Sequence, residues 1–264
     1  MAPRRRLDAE LVRRGLLPTR QQAQAAVVAG RVTVSGAVAT KPARLVGADE
    51  AVVVTGPPPR FVSRGGEKLE AALARFGIDV AGARALDAGA STGGFTDCLL
   101  QRGAASVVAV DVGYGQLADR IRHDARVVVM ERTNVRTLVL DEPADVVVAD
   151  LSFISLCTVA RALLANAREG AAVVLLVKPQ FEAGREEVSR GRGVVRDPTV
   201  WRRVLGEVRS ALNAEGAAMM DVMVSPLRGA DGNVEFLAYA RAHVDGPMVT
   251  DGGLDAVVAS VEPR

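Results

Sequence analysis

The sequence predicts an α/β protein: a doubly wound, mostly parallel sheet preceded by a small α+β unit. Three observations carry this. From about residue 64 onward, near-continuous Val/Ala/Leu segments alternate with helical stretches, the pattern of parallel strands covered on both faces. The first such segment, "RALDAGA", runs into a glycine-rich turn that opens a helix. Ahead of all this, "GPPPR" (56–60) breaks both helix and strand and is stiff, so it separates a head (1–59) from a body (60–264).

In the head, "LDAELVRRG" places Leu7, Leu11 and Val12 on one helical face, and Gly15 supplies a stop. Asp8 suits an N-cap there. A second helix begins at Thr19, with Gln22 three residues later forming a capping box and Ala23, Ala26 and Val27 the apolar stripe. "VTVSGAVA" alternates around a Ser-Gly turn, and "EAVVVTG" reads as a further strand.

In the body, "GGEKLEAALARFG" is helical, with Leu69, Ala72, Leu73 and Phe76 at i, i+3, i+4, i+7 spacing. Strands follow at "RALDAGA", "SVVAVDV", "RVVVME", "ADVVVADL" and "AAVVLLVKP", mostly separated by helices. The helix "TVWRRVLGEVRSALNAEG" then leads to a closing hairpin, "AAMMDVMVSP" with "NVEFLAYARA".

Composition excludes several classes. Half of the 264 residues are hydrophobic, which rules out global disorder. Cys98 and Cys157 lack CxxC spacing, against a disulfide scaffold or a zinc site, and Cys157 reads as a small buried helix residue. The N-terminal stretch has charges but no apolar core, unlike a signal peptide, and "AAVVLLV" falls short of the ~20 residues that span a bilayer. A soluble cytoplasmic protein without metal is expected. The net charge of +2 is uneven: residues 1–60 hold nine arginines and one lysine against four carboxylates, a balance of +6, leaving −4 on the remainder. A basic head on an acidic body points to a polyanionic partner.

The turn "LDAGASTGGFTDCLL" (86–100) carries the first chemistry. Asp87 closes a strand, and Gly89, Gly93 and Gly94 let backbone approach a ligand at the carboxyl end of the sheet. The turn lacks the Lys-Ser/Thr of a phosphate cradle and departs from G-x-G-x-x-G, beginning instead with an acid. Asp111 ends the next strand, placed to accept hydrogen bonds from ribose hydroxyls. S-adenosylmethionine, with its sulfonium, ammonium and ribose, suits both acids; NAD is the runner-up.

The acceptor is read after the fourth strand, where "ADLSFISL" has no Pro-Pro-aromatic motif for an amine and no Pro-Cys nucleophile for a pyrimidine carbon. An oxygen acceptor remains, and a ribose hydroxyl needs a positioned base. The chain uses thirty arginines but only three lysines, Lys41, Lys68 and Lys178. Arginine is a fixed cation, whereas lysine can act as a base. Lys178 ends the fifth strand, Asp150 the fourth, Lys68 lies on the helix before the sheet, and Glu235 lies in the closing strand pair. In this class of fold those ends converge.

Two resemblances bear on these residues. The head pattern "LDxxLVxRGLxxTRxxAxxxVxxGxVxVxGxxxxKP" resembles the alpha-L, or S-four type, RNA-binding module. That implies an RNA-facing surface formed by Arg4, Arg6, Arg13, Arg14, Arg20, Arg31 and Lys41. "VSRGGEKL", "LDAGASTGGFTD", "DVGYGQL", "ERTN", "VVADLSFISL", "LVKPQFE" and "GNVEFL" resemble the TlyA family of ribosomal RNA cytidine 2′-O-methyltransferases, which join that module to an FtsJ-type, Rossmann-like domain. This implies a catalytic tetrad of Lys68, Asp150, Lys178 and Glu235. It also implies a cofactor site of Asp87, Gly89, Ala90, Ser91, Gly93, Gly94, Phe95, Asp111, Asn134 and Asp150 for S-adenosyl-L-methionine. The implied partner is ribosomal RNA or a ribosomal subunit, the large and in some members also the small, with neither a membrane nor an obligate protein partner. Two other readings stand beside it: a non-catalytic rRNA-binding assembly factor, and a membrane-active, haemolysin-like protein.

Overall fold

The computed structural model describes residues 4–17, 19–56, 59–229, 231–246 and 248–262. Its packing divides the chain into two units, the first ending at Ser63 and the second beginning at Arg64. Pro57 and Pro58 of the expected joint lie outside the described residues.

In the first unit, β1 (Arg5–Arg6), α1 (Leu7–Arg13) and α2 (Arg20–Val28) precede β2 (Val32–Val34), β3 (Ala37–Val38), β4 (Leu45–Val46) and β5 (Val52–Val54). β2 sits between β3 and β5, antiparallel to both, and β1 pairs with β4. Ser35 and Gly36 turn the β2–β3 hairpin at φ of 50° and 82°, the left-handed pair that matches strand twist. Leu7, Leu11, Ala23, Val27, Val32 and Val34 form a small separate core.

Two expected caps differ. The N-cap of α1 is Arg6, and Asp8 stands in the first turn. Asp8 is wholly buried and accepts from the Arg6 guanidinium at 2.9 and 3.1 Å, from Arg20 Nε at 3.1 Å and from Gln24 Nε2 at 2.9 Å. A carboxylate that ties α1 to α2 in this way outweighs a local cap. Thr19 does cap α2, accepting from the Gln22 backbone, but the Gln22 side chain donates to the Val62 carbonyl, so the capping box stays half made. In the same helix pair, Glu10 accepts from Arg13 and Arg14.

The second unit runs α3 (Arg64–Phe76), β6 (Arg84–Ala88), α4 (Gly94–Gln101), β7 (Ser106–Val110), α5 (Asp119–Arg122), β8 (Val127–Met130), β9 (Ala144–Ala149) and α6 (Leu156–Ala165). It continues with β10 (Ala167–Val177), α7 (Pro179–Glu182), α8 (Arg185–Arg190), α9 (Pro198–Ala214), β11 (Ala217–Val224), β12 (Phe236–Ala242) and α10 (Asp251–Ala259). The sheet order is β11-β12-β10-β9-β6-β7-β8, parallel except for β12, which is antiparallel to both its neighbours. The expected doubly wound sheet with a closing hairpin is therefore present. β10 begins earlier than its apolar run: "AREG" is included, with a register shift between Ala167 and Ala172 and Gly170 at φ 71°. Leu86, Val147, Val173 and Leu175 from the strands pack with Leu163, Trp201, Val204 and Val208 from the helices. The order reverses between β6 and β9, which opens a crevice at their carboxyl ends.

The acid response of the first unit follows from its buried carboxylates. The Arg6 guanidinium holds Asp8 well below the usual carboxylate range, and Arg13, then Arg14, hold Glu10 at about 2. Both bind fewer protons folded than unfolded, so their contribution is present above about pH 4.5 and is lost as pH falls toward 2. Asp8→Asn should destabilise this unit by about 1–3 kcal/mol at pH 7 and flatten its acid dependence, read by hydrogen exchange of the α1 and α2 amides.

Candidate active site

The crevice depends on glycine. Gly89 follows β6 at φ 86°, and a Cβ there would lie 2.6 Å from the Asp150 carbonyl oxygen at the end of β9. Gly93, the N-cap of α4, has φ 91°, and a Cβ on it would meet Leu117 at 2.9 Å. Between them Ser91 adopts φ 46° and donates its backbone N–H to Asp111 Oδ2 at 2.8 Å. Asp111 Oδ1 accepts from the Gly113 N–H at 2.6 Å, so two loops orient that carboxylate from its edges. A cleft of about 570 Å³ results, lined by Gly89, Ser91, Asp111, Asn134, Asp150 and Phe153 among others. Asn134 also caps the 3-10 turn Val135–Thr137, accepting from Arg136 N–H at 3.0 Å. Ala90, Gly94 and Phe95 are buried beside the loop and shape it from within.

Asp87 lies beneath this loop rather than on it. It is wholly buried, and Oδ2 accepts from Thr96 Oγ1 at 2.6 Å. Oδ1 is buried with no partner among the described residues. Burial pushes its carboxyl up to about 7; Thr96 opposes the shift, and the charges of Asp150 and Asp111 add to it.

The four tetrad residues meet at the same edge of the sheet. Asp150 follows β9, Lys178 follows β10, and Glu235 stands one residue before β12 rather than within it. Val177 pairs with Phe236, so Lys178 and Glu235 come next on adjacent strands. They form two ion pairs. Lys178 Nζ lies 2.6 Å from Asp150 Oδ1 and donates to Ser152 Oγ at 2.9 Å. Lys68 Nζ, from α3, lies 2.5 Å from Glu235 Oε2, and both side chains are buried. Glu235 thus serves Lys68 and leaves Lys178 to Asp150.

Some residues here escape a reading by motif. Ser152 and Phe153 lie in "ADLSFISL" without a role assigned by any motif. Yet Phe153 is 90% exposed at φ 64°, a strained conformation for an aromatic residue, and its ring packs at 4.9 Å on Phe181. Phe181 in turn lies 5.8 Å from Lys178 Nζ. Glu182 locks the arrangement, accepting from Ser155 Oγ at 2.6 Å and Leu156 N–H at 2.8 Å. Gly229 leaves room for Glu235, since a Cβ would lie 2.7 Å from its Oε1. Cys157, expected to be buried, is exposed on the outward side of the first turn of α6.

In the first unit, Arg4 pairs with Glu50, Arg6 and Arg20 with Asp8, and Arg13 with Glu10, each guanidinium remaining about half exposed. Arg14 is 19% exposed, holding Glu10 and the carbonyls of Gly47, Ala48 and Glu50. Lys41 is exposed and Arg31 half-buried.

A parallel sheet with an acid at the end of its second strand, a glycine-built cleft and lysines paired with carboxylates fits a methyltransferase. Known proteins agree: the FtsJ-like methyltransferase family matches residues 61–242 and the S4 domain matches residues 5–52. The chain belongs to the FtsJ-like methyltransferases. Within them it is a member of the TlyA family: it is 52% identical over 261 residues to the 16S/23S rRNA (cytidine-2′-O)-methyltransferase TlyA of Mycobacterium tuberculosis, covering 97% of each chain. It is 41% identical to Hemolysin A of Brachyspira hyodysenteriae, over 89% of this chain and 98% of that one. A solved structure of a hemolysin-named protein from Streptococcus thermophilus, 39% identical, matches with a TM-score of 0.78 over 98% of this chain and 96% of its own. Among the described residues, no helix is long and apolar enough to cross a membrane, and no cluster of His, Cys, Asp or Glu is arranged to hold a metal.

Two outcomes follow from this geometry. Gly229→Ala drives a methyl group into Glu235 and should loosen Lys68, cutting methyl transfer roughly 10–100-fold while the fold persists by circular dichroism. The folded Asp87 keeps its proton from about pH 4 to about 7, where the unfolded chain has lost it, so its contribution to stability is lost as pH rises through that window. Asp87→Asn, uncharged throughout, should flatten that slope in denaturant titrations at pH 5 and pH 8.

Proposed function

We propose that this chain methylates the 2′-hydroxyl of a cytidine ribose in ribosomal RNA, in the large subunit and with the small subunit as a second substrate, in the cytoplasm. The observation that supports it best is the two lysine–carboxylate contacts at the sheet's carboxyl edge, Lys178–Asp150 and the buried Lys68–Glu235. The Mycobacterium tuberculosis relative, a 16S/23S rRNA (cytidine-2′-O)-methyltransferase, points the same way.

The residues present fit S-adenosyl-L-methionine. The space over Gly89 admits no side chain, and Asp111, on the cleft wall, retains lone pairs suited to vicinal hydroxyls. Gly89, Ser91, Asp111, Asn134 and Asp150 would hold it, and Asp87 would support their loop from beneath. When bound, it supplies an electrophilic methyl group.

The remaining work falls to the chain. In its neutral amine form Lys178 Nζ accepts the proton of the 2′-hydroxyl, with Asp150 and Ser152 fixing the nitrogen. Lys68, held by Glu235, sets the charge beside the ribose. Phe153 offers an exposed ring on which a base can stack. The half-exposed guanidiniums of Arg4, Arg6, Arg13 and Arg20, with Lys41, give the head its affinity for phosphates. The buried side of those ion pairs fixes their direction.

Lys178→Arg keeps the charge but cannot give up its proton. Turnover on isolated subunits should fall by at least about 100-fold. The melting-temperature rise caused by S-adenosylmethionine should remain, and Lys41→Arg should be nearly silent. Steady methyl transfer by Lys178→Arg would overturn the assignment of the base. If S-adenosylmethionine gives no thermal shift at millimolar concentration, a non-catalytic assembly factor becomes the better reading.

A further inference from the structure

A second cavity, of about 640 Å³, opens beside Glu235 and lies apart from the cofactor cleft. Its walls include Arg64, Ser225, Arg228, Gly229 and the chain end Ser260–Glu262. Arg64 begins α3 one turn before Lys68, so both cations lie on the same face of that helix. Arg64 is exposed and makes no ion pair with any described residue. Arg228 donates to the backbone carbonyl of Glu262 at 3.0 Å, a contact that aims the guanidinium without neutralising it. The two carboxylates of the lining are Glu235, whose charge is matched by Lys68, and Glu262 at the exposed rim. Arg64 and Arg228 thus bring two positive charges without a carboxylate partner among the described residues to one cavity wall, next to the Lys68–Glu235 pair, an arrangement that suits an anion.

We infer that this cavity binds a phosphodiester of the RNA backbone next to the target nucleotide, gripped by Arg64 and Arg228. The inference rests on the proposed ribose methylation. A 2′-hydroxyl is flanked by the 3′-phosphodiester of the same sugar. Glu235 follows Lys178 across one strand spacing, about 5 Å, so a ribose at Lys178 carries its backbone toward the cavity wall. A guanidinium fork matches phosphate oxygens two at a time, which a lysine cannot do. The grip would set which hydroxyl of the sugar faces Lys178, making both arginines positioning residues.

The full-length chain and its variants Arg64→Ala, Arg228→Ala, Arg228→Lys and Arg161→Ala test this. Arg161 is an exposed arginine of α6 and serves as the charge-matched control. The probes are isolated large and small ribosomal subunits with tritiated S-adenosylmethionine, and direct binding of the same subunits across a salt series. Arg64→Ala and Arg228→Ala should each raise KM for subunits about tenfold, the worth of one charge-assisted contact. Each should also lower the salt slope of binding by about one. Cofactor affinity should not change, Arg228→Lys should recover part of the loss, and Arg161→Ala should behave as wild type. Arg64 has no described partner to lose, so its variant reports on binding even if Arg228→Ala loosens the chain end. Unchanged KM and salt slope in Arg64→Ala and Arg228→Ala would overturn the phosphate site. A wild-type chain that binds subunits but transfers no methyl would sink the methylation reading alone, with the salt slopes still deciding the site. A wild-type chain that binds neither subunit would sink both.

Discussion

The contact between Gly89 and the Asp150 carbonyl is the constraint on which the rest of the second unit depends. Adjacent parallel strands must separate at their ends to admit a ligand, yet here the ends of β6 and β9 touch, because residue 89 has no side chain. The touch fixes Asp150 in direction. Asp150 fixes Lys178, and Lys178 holds Ser152, so the loop carrying Phe153 follows. The same glycine turns the chain toward Ser91, whose N–H orients Asp111. One missing Cβ therefore aligns both the cleft and the Asp150–Lys178 pair, and a larger residue at 89 would disturb them together.

Charge is used in two ways in this chain, and residue type separates them. Arginine builds: Asp8 and Glu10 are buried carboxylates that gather guanidiniums, and Arg202 and Arg209 tie α9 to α10 through Asp251. These forks stay charged at every pH a cell meets, so the scaffold they hold does not titrate through them. Two of the three lysines sit instead beside carboxylates at the carboxyl edge of the sheet.

The sequence made the sheet, its closing hairpin and the convergence of Lys68, Asp150, Lys178 and Glu235 legible, because strand ends in this topology point to one edge. What it could not show is which lysine takes which carboxylate. That depends on the register of β12 against β10, a pairing between segments about sixty residues apart. The same limit explains Asp8. Local spacing suggests a cap, whereas three donors from elsewhere in the unit claim the carboxylate. Phe153 was hidden for a different reason. An aromatic residue between serine and isoleucine reads as core, and only the left-handed backbone after β9 turns it outward.

The two ion pairs differ in a way that suits a division of labour. Lys68 and Glu235 are both buried, and a pair withdrawn from water gains little net stability from its attraction, because desolvation offsets it. Such a pair is better explained by position: a fixed cation on α3, held by the strand that also borders Lys178. Asp150 is less enclosed, its side chain 24% exposed, and it faces the cofactor cleft. Lys178 is therefore the amine that stands nearer to the open cleft and to solvent, whereas Lys68 is enclosed by Glu235.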